Sequence, residues 1–181
     1  YEVVLDVAKR YIGTLPAGER ETWVDRTPPP PAGVERRTVS AGANNALAGF
    51  DLLYTTEMPT TEEFRGSSAV LQEVLANRLK DSLREELGIS YGGGWVNVWH
   101  VDRPQQSVSV LVSVDTNADS IQLARNRVLS EISNLAEQGP NSADLAIAKE
   151  TVLNDLAYVN NALRMERLIA WLLSDGQDSA T

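Results

Sequence analysis

An α+β fold, built on an antiparallel sheet of about four strands with helices packed mainly on one face, follows from three features of the sequence. Two neighbouring stretches, Trp95 to Val101 and Ser107 to Val114, each alternate with period two, as the arms of a hairpin do. Three-four helical spacing is confined to the segments around them. Runs of adjacent strands, rather than strict alternation of strand and helix, favour an antiparallel sheet over parallel units. The expected order is helix, strand, strand, helix, strand, strand, helix, helix, in a ferredoxin-like sandwich.

The chain opens within a helix, because Val4, Val7, Ala8, Tyr11 and Ile12 keep a helical spacing from Glu2 to Leu15 that Gly13 and Pro16 bring to a stop. No capping residue precedes it, so a strand before it is expected in a longer polypeptide. Pro28-Pro29-Pro30-Pro31 is a stiff polyproline spacer that cannot enter a sheet interior. Val34 to Ser40 reads as an edge or half-exposed strand. From Ala46 to Tyr54, Ala46, Ala48, Phe50, Leu52 and Tyr54 share one apolar face at period two, the mark of a core strand.

Thr60-Thr61-Glu62-Glu63 supplies a cap followed by acids, and a helix or helix pair then runs to Leu87, with Gly66 and Ser67 as a candidate break. Trp95, Asn97, Trp99 and Val101 alternate with Val96, Val98 and His100, so both faces carry apolar area and a central position is expected. Asp102 to Gln106 reads as a turn. Val108, Val110, Val112 and Val114 then give the clearest strand of the chain. A helix through Ile121, Ala124, Val128, Ile132 and Leu135 ends at Gly139-Pro140, and Asn141 caps the next, which continues to Leu163 with a break near Asn160-Asn161. Apolar positions persist to Leu172, and the polar tail from Ser174 is expected to fray.

At 181 residues and 43% hydrophobic, residues 1–181 suit a single domain. The 25 acidic residues outnumber the 16 Lys and Arg, a net charge of -9 that argues against nucleic acid and against an acidic membrane surface. No run reaches the apolar length of a membrane span. There is no Cys, which removes disulfides and thiolate ligands and leaves the compartment open. The sole His, His100, lies in a strand pattern and reads as a pairing or surface residue; a zinc site around one imidazole would need an unusual set of carboxylates.

The stretch Leu83-Arg84-Glu85-Glu86-Leu87-Gly88-Ile89-Ser90-Tyr91, followed by Gly92-Gly93-Gly94, is where a long helix stops and the aromatic strand begins. Leu71, Leu75, Leu79 and Leu83 recur every fourth position, which puts Arg84 in the last turn beside a buried face. Gly88 is placed to be the left-handed residue that ends the helix, after which Ile89, Ser90 and Tyr91 start an extended segment, so Arg84 and Tyr91 face one cleft. Residue types alone also fit a plainer reading, with Arg84 answering the helix dipole and Tyr91 as a half-buried aromatic. The three glycines lead into a strand and lack a following basic residue, so they are no phosphate loop. Close backbone approach at a bulge and contact with a bound peptide both remain open for them.

The whole string resembles the second-half signature of the pitrilysin/insulinase family of zinc metallopeptidases, a Leu-Arg-Glu-x-x-Gly-x-x-Tyr-like run that closes a helix and opens a strand. The match is residue for residue at Leu83, Arg84, Glu85, Gly88 and Tyr91, with Leu87 in the usual apolar place. Tyr11 to Pro16 resembles the family's Tyr-Ile-Gly-x-Leu-Pro ending, and Gly139-Pro140 before an acidic-start helix extends the likeness over nearly the whole chain. The best match is the C-terminal, non-zinc domain of large bacterial zinc proteases, which makes the chain an excised piece by this reading.

The resemblance implies an α+β half-domain that faces a zinc-bearing N-terminal half of the same polypeptide around a peptide substrate. Arg84 and Tyr91 would be the catalytic donors, Gly92 and Gly93 would lie against the peptide, and the zinc would sit in the partner domain with no metal in this chain. A bacterial periplasmic location is compatible with it. This chain has no inverted His-x-x-Glu-His motif, so the isolated piece should be inactive. That departure equally suits a catalytically inactive half acting as a structural, assembly or peptide-binding module. A standalone ferredoxin-like binding domain would need convergent polar residues that nothing here marks. The missing first strand further predicts an exposed sheet edge and self-association.

Overall fold

A computed structural model describes residues 2–16, 18, 32–40, 47–101, 106–158 and 160–174. Helix α1 (Glu2–Tyr11) is followed by β1 (Leu47–Glu57), α2 (Glu62–Leu79), a π-helical segment (Lys80–Glu86), β2 (Trp95–Val101), β3 (Ser107–Asn117), α3 (Ile121–Gln138), α4 (Ser142–Ala157) and α5 (Asn161–Ser174). The polyproline spacer, all but Gln106 of the expected turn at 102–106 and the tail beyond Ser174 lie outside the described residues.

The sheet has three antiparallel strands in the order β1-β3-β2. Leu47 pairs with Asn117 and Glu57 with Ser107 at the ends of one ladder, and Trp95 pairs with Ser113 and Val101 with Ser107 in the other. The fold class is as the sequence predicts, with two corrections to the sheet. Val34–Ser40 adds no fourth strand: its residues are all exposed and belong to no helix or strand, since Val34 and Val39 fall on opposite faces of any period-two pattern and leave none to bury. The central strand is β3, not the tryptophan-bearing β2. On β2 the outward amide of Val98 donates to Gln72 Oε1 of α2 at 2.8 Å, so a helix side chain serves the edge where a further strand would lie.

Even-numbered residues of all three strands turn toward the helices. Val96, Val112 and Val114 pack there with Leu79 and Leu83, which are wholly buried, and with Val128 of α3. Phe50 and Leu52 of β1 join this layer, as the period-two reading requires. The row expected at every fourth residue is buried at Leu75, Leu79 and Leu83 but leaves Leu71 45% exposed.

Helix α2 starts where the sequence predicts, with Thr61 Oγ1 accepting from the Phe64 amide at 3.1 Å, and it runs unbroken through Gly66 and Ser67. Ser68 Oγ donates to the Arg65 carbonyl at 2.9 Å and keeps that turn satisfied. Gly139, at φ 71°, closes α3, and Asn141 caps α4 by accepting from the Asp144 amide at 2.8 Å. Asp144 also receives Arg78 Nε at 2.9 Å, a half-buried bond that ties α4 to α2. The chain breaks after Ala157 and Asn160 recaps it, its Oδ1 accepting from the Leu163 amide at 2.9 Å. Helix α1 ends four residues before the expected stop, through the turn in which Ile12 donates to the Ala8 carbonyl, and buries none of its residues. No described helix is long and apolar enough to cross a membrane.

Candidate functional site

The site is built where α2 widens into the π segment and the chain turns back toward β2. The widening shows in the amide of Leu87, which donates to the carbonyl five residues earlier, at Ser82. The Leu83 carbonyl then accepts from both Ile89 and Ser90, at 3.0 and 3.3 Å. Gly88, at φ 62°, makes that reversal without strain, in the role the sequence predicts. Residues 88–94 then run as a loop, and the extended segment expected from Ile89 begins only at Trp95.

That loop is braced within itself and fastened to the sheet and the helix layer. Thr116 Oγ1, at the end of β3, donates to the Ile89 carbonyl at 2.6 Å, and the buried Ser90 donates through Oγ to the Gly93 carbonyl at 2.7 Å. Gly93, at φ 78°, lies so close to the helix that a Cβ on it would stand 2.6 Å from Lys80 Cα; one on Gly94 would meet Leu79 Cδ1 at 2.9 Å. Glu86 pairs with Arg127 of α3, which also holds Glu131 at 3.1 Å, so the end of the π segment is tied to the helix layer.

Arg84 and Tyr91 are brought together by this scaffold. The guanidinium carbon of Arg84 lies 5.6 Å from the centre of the Tyr91 ring, within reach of a cation–π attraction. They meet on an open surface rather than inside a cleft: Tyr91 is 93% exposed, and the Arg84 side chain is half exposed with Glu85 Oε1 at 3.3 Å. The pair thus presents a planar fork and a phenol hydroxyl to whatever docks there, both fixed-geometry donors. Gly92 is exposed beside Tyr91, whereas Gly93 is buried and spent on its approach to Lys80.

The anchors Ser90 and Thr116 are invisible to motif reading. The one available signal is Thr116 itself, which continues the inward row Val108 to Val114 at even spacing and so had to be a buried polar residue. His100 is a pairing residue, as predicted: its Nε2 lies 2.9 Å from Ser68 Oγ and its ring meets Phe64 edge-on at 5.6 Å. No group of three or more His, Asp or Glu side chains converges among the described residues, so a zinc ion finds no fitting ligand set here.

Comparison with curated proteins gives no match. Among solved structures, the chain is similar to the periplasmic protease PqqL from Escherichia coli at 20% identity and a TM-score of 0.61, over 96% of this chain and 20% of that one. It matches the first half of the same protease at 19% identity and a TM-score of 0.60, over 96% of this chain and 39% of that half. A peptidase M16 inactive domain from Pseudomonas fluorescens is similar over 68% of this chain and 30% of its own, at 16% identity and a TM-score of 0.57. The chain therefore spans less than half the length of each. The model of the family described as peptidase M16 inactive domain matches residues 1–152, the stretch that contains α1, the whole sheet and the Arg84–Tyr91 loop, and the chain belongs to that family.

Proposed function

We propose that this chain is the non-zinc domain of a larger zinc metalloendopeptidase, in which Arg84 and Tyr91 donate to the substrate carbonyl and to the oxyanion that develops on it. The observation that carries the reading is the convergence of these two exposed side chains, with the Arg84 guanidinium carbon 5.6 Å from the centre of the Tyr91 ring, on a loop fastened to both the helix and the sheet. Zinc, in a partner half of the same polypeptide, would supply the Lewis acid and the activated water. This chain's own part is then to bind and orient the peptide and to meet the charge that builds on its carbonyl oxygen. Gly92, exposed next to Tyr91, is placed to let a peptide backbone pass close by. The resemblance of the fold to a periplasmic protease supports a periplasmic parent.

The test is Tyr91→Phe in the full-length protein, read as catalytic efficiency and thermal stability together. Loss of one oxyanion donor lowers turnover by about a hundredfold to a thousandfold with the fold unchanged. Full activity in the variant rules the reading out.

A second reading, an inactive half that serves as a structural, assembly or peptide-binding module, is favoured by the family's description as an inactive domain. The parent reading frame separates the two, since an inverted zinc motif several hundred residues upstream supports the peptidase and its absence supports the module.

A further inference from the structure

The helix end before Gly88 can close in two ways, which differ in what the Leu83 carbonyl is left to do. In an α-helical turn the Leu87 amide would donate four residues back, to Leu83. Here it donates five residues back, to Ser82 at 3.2 Å, and the Leu83 carbonyl accepts from Ile89 and Ser90 instead, at 3.0 and 3.3 Å. Those two bonds hold the start of the Tyr91 loop onto the helix end. A return to α-helical bonding would give the Leu83 carbonyl back to Leu87 and take it from the loop, so the wide turn and the placement of Tyr91 stand or fall together. Runs of π-helical bonding are rare, and the wide form needs support from outside the turn.

That support comes from α3. Leu83 and Val128 are both wholly buried in one core, so α3 stands against the segment. From α3, Arg127 pairs through one terminal nitrogen with Glu86, the last residue of the segment, while its Nε lies 3.1 Å from Glu131 Oε1. Side-chain exposure falls from 59% at Glu86 to 35% at Arg127 and 15% at Glu131. The guanidinium is therefore anchored on its own helix by the best-buried of the two carboxylates and extends its far nitrogen to the other. Arg84, by contrast, has its ion pair with its neighbour Glu85, which ties the segment to nothing else.

We infer that Arg127 is a positioning residue for the Arg84–Tyr91 pair. By holding Glu86 it keeps the turn wide, which leaves the Leu83 carbonyl to the loop and keeps Tyr91 beside Arg84. An ion pair this exposed adds little to global stability, so its effect falls on the choice between two local bonding patterns and not on the fold. Arginine suits the task because its fork meets two carboxylates through separate nitrogens, where lysine offers one point charge. The inference rests on the reading of Arg84 and Tyr91 as substrate donors and adds a residue on another helix that acts through Glu86.

The experiment compares the full-length protein with its Arg127→Gln, Glu86→Gln and doubly substituted variants by amide hydrogen exchange, thermal unfolding and turnover. Exchange at Ile89 and Ser90 is expected to quicken by about twofold to fivefold in each single variant, the scale of an exposed ion pair. The Leu87 amide keeps a partner in either form, and the core amides of Val112 and Val128 should not change. The double variant should go no further than either single one, because both remove the same pair. With the melting point near wild type, kcat should fall by about twofold to fivefold as the donors lose their fixed geometry, and Arg127→Lys should recover part of the loss. Unchanged exchange at Ile89 and Ser90, an equal rise across the core, or additive effects in the double variant overturns the inference. So does wild-type turnover in Arg127→Gln when Tyr91→Phe is impaired. If Tyr91→Phe is itself fully active, the catalytic reading of the pair has failed, and exchange at Ile89 and Ser90 alone decides whether Arg127 holds the loop.

Discussion

A Cβ on Gly93 would stand 2.6 Å from Lys80 Cα, so the loop that carries Tyr91 can lie against the end of α2 only while residue 93 has no side chain. Gly93→Ala is therefore expected to cost stability twice over, through a left-handed conformation worth about 1–2 kcal/mol and through the clash with Lys80. The unfolded-state gain from replacing Gly, about 0.4–1 kcal/mol, offsets only part of it. Denaturant unfolding of wild type and variant checks this, and an unchanged midpoint would mean that the loop does not rest on Lys80. Gly92→Ala is the control: its position is open and its φ is ordinary, so little should change.

Thr116→Val removes a hydroxyl of nearly the same volume and leaves the Ile89 carbonyl without its 2.6 Å donor. The loss expected is about 1 kcal/mol, close to the net worth of one hydrogen bond. The sharper readout is local. Amide exchange at Ser90 to Gly93 should quicken while the core strands keep their protection, and a uniform change across the chain would argue against a fastening role.

The helix row Leu71, Leu75, Leu79, Leu83 shows what the sequence makes legible and where that stops. Four-residue spacing identifies a buried face, and three of the four leucines are indeed in the core. Leu71 is not, because a strict four-residue row drifts around a helix of 3.6 residues per turn, so that by Leu71 it has turned off the buried face. Leu83→Ala should cost about 2–5 kcal/mol and Leu71→Ala about 1 kcal/mol or less, a contrast that thermal unfolding of the two variants reads directly.

The candidate site divides along the same line. Gly88 could be read from the sequence because a left-handed stop is a local requirement of the chain. The π segment could not, since nothing in Lys80–Glu86 distinguishes five-residue from four-residue bonding until the Leu83 carbonyl finds Ile89 and Ser90. The position of β2 in the sheet is not legible in the sequence for a related reason. Two tryptophans on the face opposite Val96 and Val98 look like a second buried layer, but no described element packs on that face of the sheet, and Gln72 serves the outer edge.

The outer edge of β1 pairs with no strand among the described residues, and Leu53 near its middle is 60% exposed. Such an edge templates pairing with another chain, and a lysine on it opposes that pairing. Wild type is expected to self-associate as concentration rises in sedimentation velocity, and Leu53→Lys to stay monomeric over the same range. Identical profiles would place any association elsewhere.

Arg84 separates the structural from the catalytic reading more cleanly than Tyr91 does, because two substitutions remove different properties. Arg84→Lys keeps a cation in the last helical turn and near the Tyr91 ring but loses the planar fork that can hold two acceptors. If Arg84 serves only the helix end, Lys replaces it fully, and Arg84→Ala costs at most about 0.3–1 kcal/mol, the worth of an exposed charge at a helix terminus. If Arg84 donates to the substrate, both variants of the full-length protein lose turnover by about tenfold or more while their melting points stay near wild type. The division between kcat and KM then locates the contact. A fall in kcat at constant KM means that the fork acts on the charge developing in the transition state, and a rise in KM alone means that it only holds the bound peptide. Wild-type kinetics in Arg84→Lys would assign the residue to the helix end and leave catalysis to the partner half.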